Sequence, residues 1–449
     1  MSRKFKTADY EATLHATVTL RECLPPDHLA RFIVDVIAQL ARSAIYAHYG
    51  PRGGEAIAPA MLLGLLFYGY ATGTFSSRKI AKATDESIPF RFMAGGLHPD
   101  HDTLAHFRKT FLSALKHLFV HILLYAQAGG VLTFGTMSLD GTKIHADASK
   151  HSAISDKRLL ELASQLRTAV DQLFALTEHA EVPEGLVIPD AIAFRQARLA
   201  TLAKAKAVLE ARAQERSAAE QAAYEAQRTE REATPRQTGR KPRGRPPTPP
   251  TRGARDKDQD NGTDPESRLM QNSTNEGFDQ HDNAQAAVAQ ASFLLVASTL
   301  SNHPNDHAEA IPPLDAIPLA LGKPQAGALD HGYCSATNIA AMEARDIEPS
   351  IATGRIPHHP SWQSYFAQQP APPPADASPK LQMADKRQTE IGGAIYRLRK
   401  CTVEPVLGII KDILGFRQCS LRGLWAAAGE WCLVCMAFNL KRLHTLTMG

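Results

Sequence analysis

One run limits what this chain can fold into more than any other: PRQTGRKPRGRPPTPPTRGARDK at 235–257, with six prolines and eight Lys or Arg against one Asp. Proline prevents regular structure and the like charges repel, so the run reads as an extended, disordered basic tether. Clustered cations displace counterions from nucleic acid, which makes Arg240, Lys241, Arg243 and Arg245 candidate phosphate contacts, against the plain alternative of a soluble linker. The tether splits 449 residues into parts that must fold on either side of it. A net charge of +4, from 50 Lys+Arg and 46 Asp+Glu, is too small to identify a nucleic-acid binder, so distribution decides. Six cysteines are too few for a disulfide framework and fit a reducing cytosol. The opening MSRKFKTADYEATLH has no apolar segment of a secretory signal. The longest apolar stretch, 118–137, is broken by Gly129 and Gly130 and reads as a buried helix followed by a strand, so no membrane is expected.

Residues 1–128 show apolar positions at three- and four-residue spacing and are expected to be helical, with Pro59 opening one helix and Asp102 or Thr103 capping another. Short helices joined by Gly- and Pro-containing turns, carrying Arg78, Lys79, Arg91, Arg108 and Lys109, suit a DNA-gripping helix-turn-helix module or a plain bundle with a solvated basic face. Alternation then appears in TMSLD, predicting a strand that ends at Asp140 before Gly141. Within 151–234, Leu159, Leu162, Leu166, Ala169 and Leu173 mark one helical stripe and Ile192, Leu199, Leu202 and Leu209 a second, the pattern of an inserted antiparallel helical arm. Beyond the tether, NAQAAVAQ and FLLVASTL read as hairpin partners. GALDHGYCSATNIAAMEARDIEPSIAT reads as strand, turn at Gly332, helix from Ser335 and strand. Residues 355–385 read as a surface loop, and the chain ends in helices from about Glu390.

Three acidic residues stand out by position: Asp140 and Asp330 close predicted strands, and Glu404 lies in a predicted helix. Carboxylates from two adjacent strand ends and one helix can hold two divalent ions roughly 3.5–4 Å apart, the geometry of in-line phosphoryl transfer. Hard oxygen donors favour Mg²⁺ or Mn²⁺ over zinc. On the helix of Glu404, Tyr396, Lys400 and Lys411 return to nearly the same face, where cations can hold phosphates beside a metal-binding carboxylate; an ordinary ion-pair face has the same spacing.

The segments LDGTKIHADAS, ALDHGYCSATNI and YRLRKCTVEPVLGIIKDILGFRQCSLRGL together resemble the DDE transposases of bacterial insertion sequences, closest to the group with an InsH-like helical N-terminal domain. PAMLLGLLFYGYATGTFSSRKI, HPDHDTLAHFRKTF, DPESRLM and GFDQHDNAQAAV extend the likeness over most of the chain. The resemblance implies an α/β protein. A ribonuclease-H-like catalytic domain at 129–150 and 258–449, a mixed sheet flanked by helices, would be interrupted by the arm at 151–234 and the tether at 235–257, and preceded by an all-helical DNA-end-binding domain at 1–128. It implies catalytic, metal-holding roles for Asp140, Asp330 and Glu404 with two Mg²⁺ (or Mn²⁺) ions. The family's Tyr, basic, Glu, Lys signature maps approximately onto Tyr396, Lys400, Glu404 and Lys411, with Arg399 a rival for the basic place. The implied activity is binding of the element's terminal inverted repeats, cleavage there and joining of the 3′ ends to target DNA, by a homodimer on paired ends in the bacterial cytoplasm at the nucleoid. The competing reading is a catalytically inactive, repressor-like relative of the same fold.

Other signals weigh less. Cys432 and Cys435 are expected to be core cysteines, Trp425 and Trp431 to pack the final helices, His145 and Asp147 to be polar strand-exit residues, and His358 and His359 to be loop residues; His331 neighbours Asp330 and is a candidate phosphate contact.

Overall fold

A computed structural model describes residues 18–49, 56–178, 188–238, 246–272, 277–354, 373–374 and 377–448. The chain divides into two compact units, Met1–Ile144 with Asp282–Gly449, and His145–His281. Arg240, Lys241, Arg243, Arg245, His358 and His359 lie outside the described residues.

The first unit begins with helices α1 (Leu29–Gln39), α2 (Ser43–Tyr46), α3 (Pro59–Ala71), α4 (Ser77–Glu86), α5 (Ile88–Met93), α6 (His101–Thr110) and α7 (Leu112–Ala128). Pro59 opens α3, where a missing N–H costs nothing. Asp100, not Asp102 or Thr103, caps α6: its carboxylate accepts the Thr103 N–H at 2.6 Å, because Asp100 has the extended backbone that an N-cap requires. Strand β1 (Thr136–His145) follows.

The chain then enters the second unit: β2 (Ala153–Ser155), α8 (Asp156–Glu178), α9 (Ile188–Thr238), β3 (Gln259–Asn261) and β4 (Arg268–Gln271), leading into β5 (Phe278–Ala289). Leu159 and Ala163 of α8 pack on Leu202 and Leu209 of α9, with Leu162, Leu166 and Leu199 alongside, so the two apolar stripes close on each other as a hairpin. Lys206 bonds Asp156 at 2.8 Å at its base. Helix α9 runs through Pro235 to Thr238, Arg255 pairs with both carboxylate oxygens of Glu220 at 2.9 Å, and Arg216 holds Asp258 and the Gly253 carbonyl. These opposite charges tie irregular chain to α9 and overcome the repulsion expected within the run.

Back in the first unit come β6 (Leu295–Ser301), α10 (Ile311–Asp315), β7 (Ala326–Leu329), α11 (Ala336–Glu343), β8 (Glu348–Ile351), α12 (Pro379–Lys386), α13 (Glu390–Gly408), a π-helical turn at Ile409–Ile413 and α14 (Leu424–Met448). Helix α12 falls inside the stretch expected to be a surface loop, where Met383 is buried. The six-stranded sheet runs β4-β5-β1-β7-β8, with β6 also pairing with β5. The hairpin β5–β6 is antiparallel, and backbone bonds Gln290–Thr136 and Ala146–Gln280 set β5 antiparallel to β1. β1, β7 and β8 are parallel, so the sheet is mixed.

One hydrophobic core runs from α1 through the sheet to α14, so the N-terminal helices do not end at a core boundary near 128. Helix α3 is buried nearly all round, and Trp431, Cys432 and Cys435 of α14 are buried as expected, whereas Trp425 is 57% exposed at the start of that helix. No single described helix is long and apolar enough to cross a membrane.

Arg108, read from the sequence as a DNA contact, is turned inward. Its guanidinium lies 2.6 Å from the Tyr70 hydroxyl and 3.2 Å from Glu430, a fully buried carboxylate that also accepts the Ser420 and Leu421 N–H groups. The cause is its position on α6, facing α3 and α14 rather than solvent. Removing one partner of a buried pair leaves the other charge uncompensated. Glu430→Ala is therefore expected to destabilise the chain by about 3–5 kcal/mol in denaturant unfolding; a loss below about 1 kcal/mol would contradict this role.

Candidate active site

The parallel ladder between β1 and β7 ends at the pair Leu139–Leu329. The next residues on the two strands are Asp140 and Asp330, so the register alone sets two carboxylates side by side where the ladder stops. Ligand sites of open α/β sheets form at this carboxyl edge. Asp140 was expected to end its strand; β1 instead continues to His145, and only its pairing with β7 stops.

The third carboxylate comes from α13. Thr389 caps that helix by accepting the Gly392 N–H at 3.1 Å. Buried hydrogen bonds lock it onto the sheet: Thr402 donates to Ser138 at 2.8 Å, and Gln290 donates to Ser138 at 2.9 Å and to the Ile395 carbonyl at 3.2 Å. Ser138 precedes Asp140 by two residues, so the contacts that dock α13 also fix its distance from β1.

Arg399 stands at the meeting point, its side chain only 4% exposed. Nη1 lies 2.7 Å from Asp140 Oδ2, and Nη2 lies 2.8 Å from Glu404 Oε1 and 3.6 Å from Asp330 Oδ1. One guanidinium thus spans carboxylates from β1, from the end of β7 and from α13. Burial pushes the Asp140 carboxyl up to about 6; Arg399 and the Gly141 N–H, 2.9 Å from Oδ1, oppose that rise, while Asp330 and Asp306 add to it.

The remaining signature residues divide by side of the helix. Tyr396 is buried, its hydroxyl 3.4 Å from Asp330 Oδ1 and its ring beneath the Arg387 guanidinium at 4.2 Å. Lys400 points to solvent, one residue and about 100° round the helix from Arg399. The basic position facing the carboxylates is therefore Arg399, not Lys400. Burial also keeps Tyr396 and Arg399 from reading as free DNA contacts. Lys411 sits on the π-helical turn, half-buried; burial lowers its pKa, with the charges of Arg417 and Lys143 lowering it further. Arg78 and Lys79 on α4 and Lys109 on α6 are exposed, as is His331. His145 stacks on His281 at 4.2 Å.

Spacing along the chain did not reveal Asp306, Asn283 and Gln285. Asn283 and Gln285 are buried on β5, and both donate to Asp306 Oδ1 at 2.9 Å. Gln285 also accepts the Tyr333 hydroxyl at 2.5 Å. The only signal was an unusual run of polar residues, DQHDNAQ, entering a strand that is otherwise buried. Gly141 is required by this arrangement: a Cβ there would stand 2.4 Å from Gln285 Nε2 and 2.6 Å from Asp306 Oδ1.

Donor chemistry decides what such a site can hold. The three acids meet on Arg399 and not on one another, their ligand atoms not closing to within 4.8 Å as a group; every donor is nevertheless a carboxylate oxygen, and together they carry more negative charge than Arg399 offsets, which is the donor chemistry of Mg²⁺ or Mn²⁺. Gly141→Ala is expected to displace the Gln285 amide and cost about 1–3 kcal/mol on denaturant unfolding; an unchanged midpoint would show that the space beside Asp140 is not filled as described.

Comparison with known families gives two matches. Residues 18–110 match the family described as Transposase domain (DUF772), and residues 374–444 match the family described as Transposase DDE domain. The second stretch contains Tyr396, Arg399, Glu404 and Lys411; Asp140 and Asp330 lie outside both. No curated protein and no solved structure matches the chain. Two transposase-family matches on one chain, the DDE match covering the helix that brings Glu404 to the strand-end carboxylates, support an insertion-sequence DDE transposase.

Proposed function

We propose that this transposase binds the terminal inverted repeats of its own insertion sequence, cleaves there and joins the freed 3′ ends to target DNA, with Asp140, Asp330 and Glu404 as the metal-holding catalytic residues. The observation that carries the proposal is the convergence of these three carboxylates, from two adjacent parallel strands and one docked helix, on a single guanidinium. The mixed sheet, with Asp140 on its first strand and a helical arm inserted before its second, supports the ribonuclease-H-like reading of the catalytic part.

Two divalent ions bound there would activate the attacking oxygen and stabilise the leaving oxygen of an in-line displacement. The chain's own residues do the rest. Asp140 and Asp330 present their oxygens from backbone fixed by the sheet, and Glu404 supplies the third from α13. Arg399, buried against all three, restrains their mutual repulsion and holds them in one place, which is pre-organisation for cation binding. Tyr396 orients Asp330 through its hydroxyl. Lys411, half-buried and seven residues beyond Glu404, is assigned a phosphate contact that its partial burial would strengthen.

Duplex binding is assigned to the exposed cations Arg78, Lys79 and Lys109 on the N-terminal helices and Lys400 on the outer face of α13, and, from the sequence alone, to Arg240, Lys241, Arg243 and Arg245 of the tether. Engagement of two ends calls for a homodimer.

Cleavage of labelled duplex carrying the element's own ends tests the reading. Wild type is expected to nick at the end only with Mg²⁺ or Mn²⁺, while Asp140→Asn, Asp330→Asn and Glu404→Gln each lose at least about a hundredfold in rate and keep duplex binding. Tight end binding with no cleavage by wild type in either metal would replace it with the repressor-like reading. Deleting 235–257 is expected to weaken binding and flatten the dependence of log affinity on log salt; an unaltered slope would remove the tether from the interface.

A further inference from the structure

We infer that Asp306 is a fourth carboxylate of the metal centre, held against Gly141, the residue after Asp140, by the buried amides of Asn283 and Gln285 on Oδ1. Asp306 lies in the loop between β6 and α10, a segment that neither family match covers. The inference rests on the metal-centred reading of Asp140, Asp330 and Glu404.

Position comes first. Asp306 Oδ1 reaches to within 2.6 Å of where a Cβ of Gly141 would stand, directly after Asp140. On its other side, Oδ2 and Cβ lie 3.6 Å from the corresponding point at Gly332, two residues after Asp330. Asp306 therefore sits between the two segments that carry the strand-end carboxylates. Glycine stands at the tightest approach, where a side chain on residue 141 would drive the carboxylate out.

Asp306 is also built in. Asn283 is 3% exposed and Gln285 fully buried, and each donates its amide to Oδ1 at 2.9 Å. Gln285 cannot turn over without losing its bond from Tyr333, so its donor end stays on Asp306. The loop is pinned on both sides, by Asn283 on the His303 carbonyl at 3.2 Å and by Asn338 on the His307 carbonyl at 2.9 Å. Two neutral donors hold Oδ1, and Oδ2 has no hydrogen-bond partner among the described residues. Among the described residues no cation pairs with Asp306 either: Arg399 pairs with Asp140, Asp330 and Glu404 and not with it.

A half-buried carboxylate held by two buried amides against the residue that follows Asp140, and without a counter-cation among the described residues, is left calling for a balancing positive charge. A divalent ion shared with Asp140 meets that requirement, bound to Oδ2 directly or through one of its waters. Partners that orient a metal's carboxylates change metal affinity by about 10–100-fold when removed.

The test is Mn²⁺ binding to the full-length protein without DNA, by calorimetric titration and by the electron paramagnetic resonance signal of free Mn²⁺. Asp306→Asn keeps an oxygen to accept both amides and removes only the charge. It is expected to weaken Mn²⁺ binding at least about tenfold, with a metal-free melting temperature equal to or above that of wild type because a repulsion has been relieved. Asp306→Glu, which keeps the charge, is expected to recover part of the affinity. Mn²⁺ affinity within twofold of wild type in Asp306→Asn, beside a clear loss in Asp140→Asn, would overturn the role of Asp306 alone. A lowered metal-free melting temperature with unchanged affinity would mark Asp306 as merely structural and overturn it equally. Unchanged affinity in Asp140→Asn as well would instead defeat the metal-centred reading on which the inference rests.

Discussion

Repulsion between like charges is the constraint around which the first unit is organised. Asp140, Asp330 and Glu404 are held close together by backbone, and a single buried cation, Arg399, makes that proximity tolerable. Without it, the three acids would repel one another apart; with it, burial still pushes Asp140 up to about 6. A guanidinium can do this because its planar fork presents several donors in fixed directions, where a lysine would offer one point charge. The arrangement is stable enough to exist, yet leaves negative charge that a divalent cation can use.

The fold supplies the precision. Parallel pairing of β1 with β7 sets Asp140 and Asp330 at neighbouring positions, and Thr402, Ser138 and Gln290 fasten α13 to the same strand. Behind them, α14 crosses the N-terminal helices and the sheet, with Trp431 donating to the Gln285 carbonyl at 3.1 Å and Asn439 pairing with Leu295 on β6. The N-terminal helices and the strands that carry the site thus share a core. Glu430, Arg108 and Tyr70 tie α14 to α6 and α3 within that core.

Much of this was legible along the chain. Alternation announced β1, short runs bounded by turn residues announced the hairpin β5–β6 and the strands around Asp330, and three- and four-residue periodicity announced the helices and the arm. What failed were features set by contacts distant in sequence. Helical spacing put Lys400 and Glu404 on one stripe, but docking to Ser138 rotates α13 so that Arg399 faces inward and Lys400 outward. Arg108 looked like a surface cation because its partner Glu430 is 322 residues away. The tether looked featureless until Glu220 and Arg216 of α9 proved to hold its later part. Asp306 carries no periodic signal; only the close approach of Gly141 and the amides of β5 reveals it.

The most direct test of the central claim is anomalous diffraction at the manganese edge from crystals of the full chain soaked in Mn²⁺. The account predicts density between Asp140, Asp330 and Glu404, with a second peak roughly 3.5–4 Å from the first once DNA ends are bound, and with Arg399 drawn away from at least one of its carboxylates. Saturating Mn²⁺ with no peak among these residues, and Arg399 still bridging all of them, would contradict it.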